Sequence, residues 1–102
     1  AILVPEVRDF ILARESGLDP TPEQAIAFSM MMQIAFRHAE NVYYQYQLGV
    51  LDEGALTGPL ELAQSASQFP SNRIVWNERK HVHPADFVTW MDEKIAMYDN
   101  AT

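Results

Sequence analysis

Between Pro22 and Gly49 the chain runs for 26 residues without a glycine or a proline, and this stretch limits the fold more than any other. Nothing inside it carries the backbone penalty that readily ends a helix. Its start is marked by Thr21 as N-cap, Pro22 at the first helical position and Gln24 three residues after the cap, a capping-box arrangement. Gly49 is well placed as the stop. A helix over 22–48 is therefore predicted, roughly 40 Å long. At 100° per residue, Phe28, Met31, Met32, Ala35, Ala39, Val42, Tyr43 and Tyr46 form one broad apolar face. Ile26, Met30, Ile34, Tyr44 and Leu48 form a second, nearly opposite, and Ser29, Gln33, Glu40 and Gln47 make a narrow polar stripe between them. A helix with two apolar faces calls for neighbours on both sides, so it is expected at the centre of a bundle.

The flanking segments read as shorter helices. Val4 to Glu15 places Val7, Phe10, Ile11 and Arg14 on one face and ends at Ser16-Gly17. After Gly49, Asp52 is the expected N-cap of a segment reaching Gln68, with a break expected near Gly58-Pro59. Phe69-Pro70-Ser71-Asn72 reads as a turn, Arg73 to Lys80 as a short helix packing through Val75, Trp76 and Arg79, and Pro84 to Tyr98 as a one-sided amphipathic helix. No alternating strand pattern appears. The expected fold is all-α: one domain over 1–102, a small bundle of four to five helices around the long central helix.

Composition narrows the function classes. Apolar residues are 48% and charged residues 21%, which suits a globular chain. Net charge is −7, and an acidic surface repels phosphate backbones, so no nucleic-acid partner is expected. Without cysteine there is no disulfide and no thiolate metal site. No apolar run approaches the roughly 20 residues that span a bilayer. The chain opens Ala1-Ile2-Leu3-Val4 without an initiator Met, so the expectation is a soluble piece of a longer, N-terminally anchored protein. No phosphate-cradling glycine loop and no activated nucleophile motif is present, and no cofactor is expected.

Two clusters are candidate sites. Arg37, Asn41 and Tyr44 share one side of the long helix, and Glu40 is three residues from Arg37. His38 and Glu40 are two apart, on different sides, and cannot act as a pair within the helix. As a ligand site, Arg37, Asn41 and Tyr44 would join Trp76 and Arg79 to hold a small anion between the central helix and the Trp76 segment. As structure, the same residues form a polar network that fixes how the helix docks, and this reading is favoured. The second cluster, His81, His83 and Asp86, is the nearest approach to a metal motif, but two imidazoles so spaced need an extended segment and a third ligand. A loop with His83 as N-cap is favoured there. Met30-Met31-Met32 reads as core filling, since consecutive residues point in different directions, and Asp92, Glu93 and Asp99 read as a solvated face.

FRHAENVYYQYQLGVLDE (36–53), followed by VWNERKHVHPADFVTWMDEKI (75–95), resembles a domain of unknown function found in bacterial membrane-anchored proteins, where one or two N-terminal membrane helices precede a small C-terminal helical domain. The matching positions are Phe36, Glu40, Asn41, Tyr44, Gly49, Leu51, Asp52, Glu53, Trp76, Arg79, Pro84 and Phe87, and the resemblance covers about two-thirds of the chain. The chain departs from it in two ways: Gly54, Gly58 and Pro59 replace aromatic and helix-favouring residues, and His83 replaces a Ser or Thr cap. The resemblance implies an all-helical domain tethered to a membrane from outside this chain, with no catalytic residues to carry over. The expected function is a non-enzymatic interaction or assembly domain, binding a partner protein or a second copy as a homodimer. The alternative is a small-ligand sensor. A metal-dependent enzyme using His81, His83 and Asp86 ranks last.

Overall fold

Two glycines in the left-handed region set the ends of the first two helices. The computed structural model describes residues 4–101, so the Ala1-Ile2-Leu3 start lies outside the described residues. Helix α1 is Pro5–Glu15, and Gly17 follows at φ 73°. Helix α2 is Pro22–Gln47, and Gly49 follows at φ 79°. At both ends the amide two residues past the cap returns to a carbonyl of the last turn, Leu18 to Ala13 at 2.8 Å and Val50 to Gln45 at 2.9 Å. That closure needs a residue at positive φ, which a side chain disfavours. The capping box forms as the residue types predict: the Thr21 amide donates to Gln24 Oε1 at 3.0 Å, and the Gln24 amide donates to Thr21 Oγ1 at 3.2 Å.

A 3-10 turn over Glu53–Leu56 leads into α3, Thr57–Gln68. The expected break at Gly58-Pro59 is not there. Pro59 is the third residue of α3, where a backbone amide has no intrahelical acceptor, so its missing N–H costs nothing. The change of winding falls two residues earlier, at Leu56-Thr57, and Asp52 stands at the N-cap position of the 3-10 turn without a side-chain capping hydrogen bond. Helix α4 is Pro70–Arg79, so the expected turn at 69–72 is instead a helix start. Phe69, extended as the residue before a proline tends to be, is its N-cap, and Pro70 takes the first helical position. A short 3-10 turn over Lys80–Val82 precedes α5, Ala85–Asn100. There is no strand among the described residues, and no described helix is long and apolar enough to cross a membrane.

The chain divides into two compact units at Met32-Gln33, within α2. In the first, Phe10 of α1 stacks on Phe28 of α2, centroids 4.2 Å apart and planes 17° from parallel, with the Arg14 guanidinium 5.5 Å from the same ring. The second unit is built around Phe36, Trp76, Phe87 and Met91, all essentially without exposure. Trp76 of α4 meets Phe87 of α5 edge to face at 6.0 Å and tilts against Phe36 of α2 at 4.9 Å, while Tyr43 of α2 touches Phe87 and Trp90. Helix α3 lies against α5 and α4, burying Pro59, Ala63 and Ala66. Its small side chains permit close approach.

The two-faced reading of the long helix requires correction. Its buried side is the run Phe28, Met32, Phe36, Ala39 and Tyr43, spaced by three and four. The second face is open: Ile26 is 61% exposed, Met30 59%, Ile34 71% and Leu48 78%. Only Tyr44 on that face is half-buried. Met30 is thus surface, Met31 intermediate and Met32 core. The rings of Phe10 in α1, Trp76 in α4 and Phe87 and Trp90 in α5 all meet this helix on that aromatic run.

Candidate functional site

The two clusters that stand 37 residues or more apart in sequence meet in space. Glu40 and Tyr44 are one turn apart on α2, while His83, extended, lies two residues before α5 and Asp86 is in its first turn. They pair as two rungs. His83 Nδ1 lies 2.6 Å from Glu40 Oε1, and the Tyr44 hydroxyl donates to Asp86 Oδ1. Arg37 Nη1 donates to the same Glu40 oxygen at 3.1 Å, three residues back along α2. Asp86 also accepts the Phe87 amide at 2.9 Å, so the carboxylate sits in the first turn of α5, where the helix dipole favours a negative charge.

His83 is therefore a buried docking residue rather than an N-cap. Its side chain is 3% exposed, packed against Trp76 at 5.6 Å and Phe87 at 5.5 Å. With Glu40 ionised, Nδ1 carries the hydrogen and donates it. A histidine paired with a carboxylate is also the working half of many acid–base sites, but that role needs an imidazole nitrogen within reach of substrate. At this depth the ring is surrounded by side chains instead. The pair holds the start of α5 against α2.

The remaining candidates go separate ways. Asn41 is exposed. Trp76 is 1% exposed and donates Nε1–H to Asp92 Oδ1 at 2.8 Å, with Lys80 on the other oxygen at 3.2 Å. Arg79 is half-buried, its Nε shielded and without an acceptor among the described residues. His81 is exposed, and no three His, Asp or Glu residues among those described are grouped to hold a metal; His83 and Asp86 are each turned to a partner on α2. A cavity of about 430 Å³ lies between α2 and α3, lined chiefly by Ala35, Ala39, Val42, Ala55, Pro59 and Leu62, with the exposed His38 and Glu61 at it. Arg37, Tyr44, Trp76 and Arg79 take no part in it. Trp76 lines a smaller cavity of about 250 Å³ between α4 and α5.

The acidic residues of α5 are not simply a solvated face. Arg73 binds Asp99 through both oxygens, at 2.7 and 2.5 Å, and Ser67 Oγ donates to Asp99 at 2.6 Å, so this carboxylate ties α3 and α4 to the end of α5. A tryptophan read as buried needs an acceptor for its indole N–H, and that requirement was the sequence signal for Asp92. For Asp99 no sequence signal existed, because its partners are 26 and 32 residues away.

These contacts have pH signatures. The hydrogen bond to Asp86, then burial and the Asp86 charge, push the Tyr44 hydroxyl up to about 12. Burial chiefly, and the Asp86 charge next, raise Tyr43. A raised value means that the protonated phenol stabilises the fold, fully below the ordinary value of 10.0 and no longer above about 12. In Tyr44→Phe the loss of stability between those two pH values is expected to flatten, measured by urea unfolding across the range; an unchanged alkaline slope refutes the assignment. For the other rung, Glu40→Ala is expected to cost about 2 kcal/mol, the worth of a hydrogen bond to a charged group. A double-mutant cycle with His83→Ala should return a coupling above about 1 kcal/mol, and additive effects would show the two side chains to be independent.

Comparisons of the chain with protein-family models, with curated proteins and with solved structures find no match.

Proposed function

We propose that this chain is a non-enzymatic interaction domain whose binding surface is the open side of α2. The observation that carries this reading is the row Ile26, Met30 and Ile34, one residue per turn, exposed to 61%, 59% and 71%. Single exposed apolar residues are ordinary, but three in register along a helix form a continuous ridge suited to a partner's apolar surface. The same helix buries Phe28, Met32 and Phe36 on its other side, so the exposed row is carried by a helix that is packed on its opposite face. The titratable groups nearest to a catalytic arrangement, Glu40 and His83, are consumed in holding α5. The resemblance to membrane-anchored bacterial proteins adds a tether outside this chain, which would concentrate the domain at a surface and favour weak association.

A photo-crosslinking amino acid at Met30 of the full-length protein, in its own cells, is expected to give a covalent adduct, and the same group at the exposed Glu61 is not. No adduct from Met30 under any growth condition counts against the reading.

The cavity between α2 and α3 supports a second reading, a small-ligand sensor. Its 430 Å³ is within the range of small-molecule sites, and its walls are mostly apolar. A ligand bound only by the folded state raises the melting temperature. A metabolite panel is expected to contain a compound that does so for the wild type and not for Ala39→Leu, which fills the space. A panel without such a shift removes this reading.

A further inference from the structure

The open side of α2 has an internal symmetry that identifies its partner. Glu23, Ile26, Met30, Ile34 and Arg37 are spaced three, four, four and three residues apart, a pattern that reads the same in both directions about Met30. At 100° per residue all five fall within about 80° of one another on the helix surface. The apolar residues mirror each other, Ile26 against Ile34. The charged residues mirror with opposite sign, Glu23 against Arg37, each about 10 Å along the axis from Met30.

We propose that two copies of the chain associate antiparallel along α2, on a twofold axis through Met30. An isologous interface requires a patch complementary to itself: apolar positions must repeat across the axis and charges must invert. This stripe meets both conditions. In such a pair Met30 faces its own copy, Ile26 faces the second copy's Ile34, and Glu23 faces the second copy's Arg37, twice. The geometry also suits Arg37. Its Nη1 is anchored on Glu40 at 3.1 Å while the side chain stays 54% exposed, leaving the rest of the guanidinium fork for a second carboxylate. A chain of net charge −7 repels its own kind, and placing one of its seven cations at each end of the stripe offsets that repulsion where the copies meet. The pairing rests on the reading of α2 as an interaction surface and names its partner.

The test is sedimentation equilibrium in about 0.15 M salt, where screening shortens the reach of the net charge. The wild type is expected to show a monomer–dimer equilibrium, and Met30→Asp only monomer with unchanged helicity. Glu23→Lys and Arg37→Glu should each weaken the dimer about tenfold, since each turns two attractions into repulsions. The double variant E23K/R37E should recover the wild-type constant to within about threefold, a rescue that a local disturbance of Glu40 would not produce. Since the chain has no cysteine, Met30→Cys should oxidise to a linked dimer, while Ile34→Cys, displaced from its own copy by about two turns, should not. A monomer at millimolar concentration, a double swap no better than the single ones, or equal linking at positions 30 and 34 overturns the proposal. A monomer whose residue 30 crosslinks in cells to a different protein sinks the self-pairing and leaves the interaction reading standing; a monomer with no adduct removes both.

Discussion

The edge-to-face contact of Trp76 with Phe87 is the point on which the unit from Gln33 onward depends. Phe36 and Tyr43 of α2 close on these two rings, and His83 packs against both. Three helices thus share one aromatic centre that excludes water. Burial also raises the worth of the polar contacts around it. The Trp76 indole must find an acceptor once buried, and Asp92 supplies it; His83, buried against the same rings, must find a partner, and Glu40 supplies it. The hydrogen bonds set the register of helices that the rings bring together.

That order of causes explains why the crowded stretch 36–44 is a seam. Arg37, Glu40 and Tyr44 lie along one helix, and their long-range partners are a histidine and an aspartate at the start of α5. A set of residues that reads as base, cation and aromatic walls becomes, once paired, a clamp with its groups directed inward or at each other. What stays open on α2 is the apolar row Ile26, Met30 and Ile34, on the turns preceding Arg37 and Tyr44 along the same side of the helix. Glu40 and Tyr44 serve the inside of the fold, while the row left exposed beside Arg37 is hydrophobic.

How far the sequence could be read depends on the range of each interaction. Helix starts and stops are local: the Thr21–Gln24 box, the two positive-φ glycines and the long uninterrupted helix follow from residues within a few positions of one another. Misreadings arose where a proline served a helix start, at Pro59 and Pro70, because a first-turn proline and a helix-breaking one look alike until the preceding residue's conformation is known. The candidate site was harder. Both halves were visible as clusters, yet nothing local says that Glu40 meets His83 across 43 positions or that Asp99 gathers Arg73 and Ser67.

The sequence by itself determined the helical class, the length of α2, its caps and its two apolar faces, since these depend on backbone preference and on a 3.6-residue period. Only the tertiary structure decided which of those faces is buried. Periodicity shows that a face is apolar but not whether a neighbour exists to cover it, and here Phe28, Met32, Phe36, Ala39 and Tyr43 were covered while Ile26, Met30 and Ile34 were left to water.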